Sequence, residues 1–322
     1  MIRTILLAVT ICALCAGSWA APLYTLTDLG TIPGDTGSEA WGMNNAGQVV
    51  GYSGPYNGSP DCHAFLYTGG QMHDLGNLGG YGMGNRANAI NNNGQIVGWS
   101  TNASGDRDGF LYSNGQMQDL GNLGGIYGLI GSVAGGINDL GQVVGSAYTA
   151  TFQLSQAFLY SGGQMQNLGN TLFGGILSWG DRVNNTGQIA CGATIYGVSH
   201  SYLYSDGHLL NLGTLPGLPN SLPYGLNDAG QVAGVSSAAL GGLGQAFLYS
   251  GGQLLPLGDL GGGKSEAFGI NNAGQVVGQA YTASGVPHAF LYSGSAMIDL
   301  NTLRGCARTT PHSWGELPIG ML

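Results

Sequence analysis

The chain has 322 residues, of which 62 are glycine and only 7% are charged. Its formal net charge is -9, and Lys264 is its one lysine. A nucleic-acid binder needs a basic surface to displace counterions from phosphates. The composition therefore argues against nucleic acid as a partner, and equally against attraction to an anionic membrane surface. Few Lys and Glu with many Gly, Asn, Val and Tyr favour short strands and tight turns over helices.

The N-terminus has the pattern of a secretory signal peptide. Arg3 provides a positive start, and residues 4–16 form an apolar stretch too short to span a bilayer. Ser18 and Ala20 are small residues at the two positions that signal peptidase reads. The pattern predicts a signal peptide over residues 1–20 and a secreted or periplasmic protein with no membrane span in its mature chain. A buried first strand is the structural alternative.

Three cysteines follow that cleavage site: Cys62, Cys191 and Cys306. An odd number excludes a fully paired disulfide framework. An extracytoplasmic location permits one bridge, and Cys62 with Cys306 would be the pair if the ends of the repeat domain meet. Their spacing does not match a metal site, so the sequence predicts no metal ligands among them.

The dominant signal is an internal repeat. A Gly-Gln pair marks each unit at intervals of 47, 47, 46, 43 and 44 residues, beginning at Gly47, Gly94, Gly141, Gly187, Gly230 and Gly274. A Leu-Tyr pair keeps step with it, its tyrosines being Tyr67, Tyr112, Tyr160, Tyr204, Tyr249 and Tyr292. Six tandem units in register indicate a repeat architecture.

Each unit divides into four strands. An Asn-Asn-x-Gly turn such as 271–274 joins the first two strands, because Asn hydrogen-bonds its own backbone and Gly accepts a positive φ. A pair such as Asn114-Gly115 joins the last two and is typical of a two-residue hairpin. Four antiparallel strands in about 45 residues is the period of a propeller blade. A β-solenoid is the alternative, although it usually repeats at a shorter period.

The predicted fold is therefore an all-β propeller of six four-stranded blades, or of seven with the last incomplete. The alternative of seven blades arises because residues 24–30 look like a lone fourth strand ahead of the first unit. The sequence predicts one repeat domain over residues 21–303 and a non-repeat tail over residues 304–322, which lacks the markers of the units.

Three motifs carry a resemblance to a known family. They are INNAGQVVG at 270–278, HAFLYSG at 288–294 and DLGNLGG at 74–80. Together they resemble the HAF extracellular repeat family, over about residues 24–303. The His-Ala-Phe triplet is intact at residues 63–65 and 288–290 and varies in the other units. The resemblance implies a bacterial, extracytoplasmic protein and implies no catalytic residues.

Strand alternation places both tight turns of every unit on one edge. The loops between the second and third strands lie on the opposite edge, and they differ in length and content from unit to unit. Loops on a uniform scaffold are common binding sites, although varied loops are equally expected where nothing constrains them. The candidate binding residues on this edge are Tyr56, Trp99, Asp106, Asp108, Tyr148 and Tyr281.

A polar residue opens the third strand of each unit, and in three units it is a histidine: His63, His200 and His288. Such residues either line a central channel or anchor each blade through hydrogen bonds, and the second interpretation is favoured because buried polar groups need partners. Residues 104–109 resemble part of a calcium loop but lack its distal bidentate acid. No cofactor and no metal is therefore expected.

These observations favour an exported, non-enzymatic interaction scaffold whose partner is a cell-surface polymer, a glycan or a protein. A carbohydrate-binding propeller is the first alternative, because of the aromatic residues in the loops. An extracytoplasmic hydrolase is the second. Its candidate acids, Asp61, Asp106, Asp108 and Glu266, are scattered in the sequence and show no paired partner.

Overall fold

The structure is a computed structural model that describes residues 5–8, 25–55, 59–82, 84–125, 130–150, 154–239 and 241–302. Six sheets each contain four antiparallel strands that follow one another in chain order. The protein is thus an all-β propeller with six four-stranded blades, as the repeat predicted.

The strands have the following bounds. A two-stranded sheet precedes the blades and consists of β1 (Ile5–Ala8) and β2 (Thr25–Asp28). Blade 1 contains β3 (Ser38–Met43), β4 (Val49–Ser53), β5 (His63–Thr68) and β6 (Gln71–Asp74). Blade 2 contains β7 (Asn85–Ile90), β8 (Ile96–Thr101), β9 (Arg107–Ser113) and β10 (Gln116–Asp119). Blade 3 contains β11 (Ser132–Ile137), β12 (Val143–Tyr148), β13 (Ser155–Ser161) and β14 (Gln164–Asn167).

The second half of the ring repeats this arrangement. Blade 4 contains β15 (Ser178–Val183), β16 (Ile189–Ile195), β17 (Val198–Ser205) and β18 (His208–Gly213). Blade 5 contains β19 (Asn220–Leu226), β20 (Val232–Ser237), β21 (Gln245–Ser250) and β22 (Gln253–Pro256). Blade 6 contains β23 (Gly261–Ile270), β24 (Val276–Thr282), β25 (Pro287–Ser293) and β26 (Ala296–Asp299).

Helix is confined to two short segments of the described chain. The helix α1 (Leu168–Phe173) follows blade 3 in place of a glycine-rich connector, and the Asn167 side chain caps its N-terminus by accepting from the Asn170 N–H. A 3-10 turn, Leu300–Thr302, follows blade 6. Neither could cross a membrane, and the described residues contain no apolar helix of sufficient length.

The Asn that opens each Asn-x-x-Gly turn links its blade to the next one. The Asn138 Oδ1 accepts from the Leu140 and Gln142 N–H groups at 3.1 and 2.9 Å. Its Nδ2 donates to Gln142 Oε1 at 2.7 Å and to the Asn184 carbonyl of blade 4 at 2.9 Å. The same inter-blade bond joins four other pairs: Asn44 to Asn91, Asn91 to Asn138, Asn184 to Asn227 and Asn227 to Asn271. We call this set the Asn ladder.

The second hairpin of each blade has the backbone that its sequence requires. Asn114 and Gly115 have φ values of 52° and 78°. Positive φ at both turn residues matches the twist of the flanking strands, and it explains why Gly or Asn occupies these positions in most blades.

The hydrophobic core lies between neighbouring blades. Phe110 of blade 2 is fully buried against Val50 and Ala64 of blade 1, and an aromatic residue takes its position in every blade. Glycine faces that ring from the second strand. A Cβ added at Gly51 would lie 1.9 Å from the Glu39 carbonyl oxygen, so only glycine lets the first two strands of blade 1 approach so closely.

The first strands surround the axis of the propeller. Their backbones come close together: a Cβ added at Gly42 would lie 3.1 Å from the Ala89 Cα of the next blade. The fourth strands are outermost, and three of the four residues in each of β6, β10 and β22 are exposed. Any side chain that points inward from a first strand therefore faces a central channel.

The predicted lone strand is present as β2. It pairs with β1 so that Ile5 lies opposite Asp28, the same register that places Phe65 opposite Asp74 in blade 1. Leu29, which follows β2, is buried against Val49 of blade 1. Residues 1–4 and 9–24 lie outside the described residues, so the signal peptide and its cleavage site stay predictions.

Candidate functional site

The side chains at the axis differ from blade to blade. The second residue of the repeated first-strand segment is Glu39, Arg86, Val133, Trp179, Leu222 or Glu266. Two positions later, at a β-bulge, the residue is Trp41, Asn88, Gly135, Asp181, Tyr224 or Phe268. A bulge re-aims its extra residue, and here it adds a second layer of varied side chains to the channel wall.

An aromatic and arginine stack crosses this wall from blade 1 to blade 2. The Arg86 guanidinium lies 4.1 Å from the ring centroid of Trp41 and 5.9 Å from that of Trp99. The Arg107 guanidinium lies 4.7 Å from the Trp99 ring centroid. We call these four residues the Trp–Arg stack. Arg107 opens β9, so the stack reaches the edge of the propeller that carries the variable loops.

The stack is held by polar neighbours. Arg86 Nε donates to Asn88 Oδ1 at 2.7 Å. Tyr52 donates its hydroxyl to Glu39 Oε2 at 2.8 Å. Burial raises the pKa of Glu39, while Tyr52 and Arg86 oppose that rise. The pKa of Arg86 falls to about 10, first because of burial and then because of the charge on Arg107. Two guanidinium groups thus share a confined space with one carboxylate.

Other blades also bring carboxyl groups to their first strands. Burial raises the pKa of Asp181 to about 8, although Arg182 and Trp179 lower it, so this carboxyl is largely protonated at neutral pH. Arg182 donates from Nη1 to the Gly135 and Asp181 carbonyls at 2.9 and 2.8 Å. Gln279 donates to Glu266 at 2.5 Å, and burial raises the pKa of Glu266.

Several buried polar atoms of the channel have no hydrogen-bond partner among the described residues. They are Trp41 Nε1, Arg107 Nε, Asp181 Oδ2 and Gln279 Oε1. Buried polar atoms are nearly always satisfied in folded proteins. These four donor and acceptor atoms, which belong to four different blades, are therefore suited to a polar ligand.

The charge of the channel contrasts with that of the whole molecule. The chain is acidic, and its described lysines and arginines are only Arg86, Arg107, Arg182 and Lys264. The three arginines lie near one another, since the charges of Arg107 and Arg182 both lower the pKa of Arg86. With Asp181 largely protonated, the wall is locally positive around the Trp–Arg stack. An anionic group would find its complement there.

The predicted binding residues divide into two groups. Trp99 and Tyr148 are buried, with 2% and 6% exposure. Trp99 is part of the Trp–Arg stack, and the electrostatic influence of Tyr148 on the Arg107 pKa places it nearby. Tyr281 lies apart, 6.0 Å from Lys264 Nζ. Tyr56 lies outside the described residues.

The acidic loop residues have structural contacts. Asp106 donates its N–H to Asn102 Oδ1 at 3.1 Å. Asp108 accepts from the amides of Asn102 and Asn122 at 2.8 and 3.4 Å. The suggested partial calcium loop is thus built around the Asn102 side chain, and Asp108 connects it to the connector that follows blade 2.

The histidines lie in third strands, two strands outward from the axis. The His63 Nδ1 lies 3.3 Å from Asp35 Oδ2, and the His288 Nδ1 lies 2.8 Å from Asp299 Oδ2. The buried His200 Nδ1 has no hydrogen-bond partner among the described residues. In the described part of the chain, no three His, Cys, Asp or Glu side chains converge as metal ligands.

Sequence reasoning missed most of the channel wall. It did not select Glu39, Arg86, Arg107, Asp181 or Tyr224, because none belongs to a motif. The signal was present: when the six units are superimposed on their Gly-Gln pairs, these first-strand positions vary while the first Asn and the Gly of the turn recur in every unit. Among the predicted hydrolase acids, Glu266 lies in the channel and Asp61 is exposed in a loop.

Comparison with known proteins identifies the fold and little else. No family model and no curated protein matches the sequence. The β-propeller domain of the Trilobed protease from Pyrococcus furiosus matches with a TM-score of 0.57 and 10% identity over 86% of this chain and 83% of its own. A protein assigned as TolB from Agrobacterium tumefaciens matches with a TM-score of 0.53 and 13% identity over 83% and 93%.

A puromycin-hydrolyzing peptidase of Mycobacterium tuberculosis also matches, with a TM-score of 0.53 and 11% identity. It is matched over 85% of this chain but only 48% of its own. Identities this low show a shared propeller architecture and carry no statement about activity.

Proposed function

We propose that this protein is an exported, non-enzymatic binding protein whose ligand presents an anionic group to the Trp–Arg stack. The observation that carries the proposal is the clustering of the described arginines in an acidic protein: Arg86 and Arg107 share the Trp–Arg stack, and Arg182 is close enough to lower the pKa of Arg86. Burial would be costly for these charges without a partner. The unpartnered Arg107 Nε is a donor in position for a carboxylate or similar anion.

The exported location rests on the signal-peptide pattern and on the resemblance to an extracellular repeat family. The non-enzymatic role rests on the arrangement of the carboxyl groups. Each is held by a different neighbour, Glu39 by Tyr52 and Glu266 by Gln279. An enzyme of this kind would need a nucleophile or an acid pair oriented by shared neighbours.

A carbohydrate ligand is the second candidate, and the aromatic rings of the stack favour it. Sugars bind through aromatic faces, and an acidic saccharide would also supply the carboxylate that the arginines require. This alternative differs from the first only in whether the sugar ring contributes to affinity, so one experiment separates them.

The test is calorimetric titration of the purified protein with polygalacturonate, with its methyl-esterified form and with acetate. We expect the acidic polymer to bind and the esterified polymer to bind at least about tenfold more weakly, as loss of a charged contact predicts. Binding of the acidic polymer but not of acetate would indicate that the sugar ring contributes. Equal binding of both polymers would overturn the anionic assignment.

Two matched variants locate the site. Arg107→Gln should lower affinity for the acidic polymer about tenfold or more, whereas Lys264→Gln, which removes an equal charge outside the stack, should leave it within about twofold. If no anionic polymer or small carboxylate binds the wild type, the proposed ligand class is wrong. Release of reducing ends from any bound polymer would show that the protein is an enzyme.

A further inference from the structure

Five interfaces between blades share one set of contacts. A serine or asparagine at the start of each first strand accepts the N–H of the residue at the start of the preceding third strand. The Gly109, Ala157, Ser201 and Ala246 N–H groups donate to Ser132, Ser178, Ser221 and Ser265 at 2.8, 3.1, 2.9 and 3.0 Å, and the Ala64 N–H donates to Asn85. We call this bond the serine clasp.

Blade 6 lacks that continuation among the described residues. The Ala289 N–H instead reaches the Asn301 side chain at 3.3 Å in an exposed position. Asn271 Nδ2 donates to Gln275 within its own turn. Among the described residues, it has no hydrogen bond to a carbonyl of a following blade, so the Asn ladder ends there.

The outer face of blade 6 is correspondingly open. Val277 is 45% exposed, whereas its equivalents Val50, Val97, Val144, Ala190 and Ala233 are 0% exposed. Ala289 is exposed and its equivalent Ala64 is fully buried. Leu291, beside Val277, is only 3% exposed, so the open part of the face is the half nearest the axis and the variable-loop edge.

Blade 1 shows the other side of the same gap. Met43 is 51% exposed, although the equivalent Ile90 and Ile137 are 8% and 9% exposed. The Ser38 Oγ donates to the Gly30 carbonyl, which follows β2, just as Ser132 Oγ donates to Gly121 after blade 2. The strand β2 thus occupies the fourth-strand place of a further blade between blade 6 and blade 1.

The chain contains a sequence suited to the innermost strand of that blade. Residues 313–316 read Ser-Trp-Gly-Glu, and residues 178–181, at the start of β15, read Ser-Trp-Gly-Asp. The tail was assigned outside the repeat because it lacks the Gly-Gln and Leu-Tyr pairs. The first strand of a unit contains neither pair, so those markers could not reveal it.

The connecting length is also adequate. The connector between two blades can be measured from the leucine after the fourth strand to the serine of the next clasp. It spans 12 positions from Leu120 to Ser132 and 8 positions from Leu257 to Ser265. From Leu300 to Ser313 the separation is 13 positions. A connector of this length therefore resembles the longest one already present in the ring.

We infer that residues 313–317 dock on the open face of blade 6 as the first strand of a seventh, incomplete blade. Ser313 Oγ takes the Ala289 N–H in a sixth serine clasp. Trp314 and Glu316 then occupy the axial positions that Trp179 and Asp181 occupy in blade 4. The docked strand thereby covers the open face of blade 6 beside β2.

The test is disulfide trapping in the full-length chain with Cys306→Ser as background. The pair Ala289→Cys and Ser313→Cys should oxidise to an intramolecular bridge, detected by peptide mass spectrometry. The pair Ala157→Cys and Ser178→Cys is the positive control, since its two residues already form a clasp. The pair Ala289→Cys and Leu317→Cys is the register control, because four strand residues span about 13 Å, and it should stay reduced.

Three results would overturn the inference. The first is that the 289–313 pair forms no bridge while the positive control does, and the second is that the 289–313 and 289–317 pairs form bridges equally. The third is a bridge between two molecules, which would show that a second copy covers the face. Hydrogen exchange decides the matter if the cysteine variants do not fold. The Ala289 amide should exchange roughly tenfold faster in Ser313→Ala than in wild type. An unchanged rate would count equally against docking.

Discussion

The residues between the blades are nearly the same in every unit, whereas the residues at the axis differ from unit to unit. Between blades, every unit repeats the same Asn-x-x-Gly turn, and all but blade 4 place phenylalanine in the interface. At the axis, the six blades present five different side chains at the position of Glu39, because only Glu39 and Glu266 are alike. Contacts that each blade must make with its neighbour are uniform, because every interface has the same geometry. Side chains that face only the channel are free to differ, and this is where a ligand site can develop.

Removing a side chain from the inter-blade core should have the largest effect. Phe110→Ala is expected to lower the free energy of unfolding by about 3–5 kcal/mol, because it leaves a cavity between blades 1 and 2. Chemical denaturation measures the loss. Tyr196→Ala, at a fully exposed tyrosine, is the control and should stay within about 0.5 kcal/mol of wild type. Equal losses would contradict the assignment of the core to the interfaces.

Breaking the Asn ladder should have the next largest effect. Asn138→Ala removes four hydrogen bonds, one of them to blade 4, and is expected to cost about 2–4 kcal/mol. Asn271→Ala is a matched control that removes the same turn contacts but no described inter-blade bond. The second variant should lose less stability by about 1 kcal/mol, and an equal loss would show that the ladder does not join the blades.

A pH series should separate the axis from the turn edge. The pKa of Asp181 is raised to about 8 from an ordinary value of 3.8, so between those values the folded state holds a proton that the unfolded state has released. Its contribution to stability is therefore greatest at acid pH and is lost as pH rises through about 8. The melting temperature of Asp181→Asn relative to wild type should rise progressively from pH 5 to pH 8.

Asp139, on the tight-turn edge, provides a control of opposite sign. Although burial alone would raise its pKa, hydrogen bonds from Asn92 and Asn185 lower it. Its contribution is present at neutral pH and is lost as pH falls through that lowered pKa. Asp139→Asn should therefore cost stability at pH 7 and little at pH 3. The same pH trend in both variants would contradict the contrast between the two edges.

The smallest effect on stability is expected in the Trp–Arg stack itself. Arg107→Gln should change the free energy of unfolding by less than about 1 kcal/mol, since it removes one buried charge together with one cation–π contact. Thermal denaturation compares it with wild type. A loss as large as that of Phe110→Ala would mean that the stack is a structural element rather than a ligand site.

Much of the architecture was predictable from local chemistry. The turns at 44–47 and 114–115 follow from what Asn and Gly backbones permit, and their spacing defines the four strands of each blade. The helix α1 was not predicted, because residues 168–175 (LGNTLFGG) differ from connectors such as 75–80 (LGNLGG) only by two additional residues before the Gly-Gly pair. The histidines were predicted to be either channel or anchor groups, and the sequence left both roles open because it could not rank strands by distance from the axis.

The amino-acid sequence alone specifies the repeat, the strand boundaries and the edge on which the tight turns lie, because these depend on residues close together in the chain. Only the folded ring brings Trp41, Arg86 and Arg107 together. They lie on different strands, with 45 positions from Trp41 to Arg86 and 21 positions from Arg86 to Arg107. These residues come into contact because the six sheets pack around one axis. Burial at the axis then sets the pKa values that distinguish Asp181 and Arg86 from ordinary surface charges.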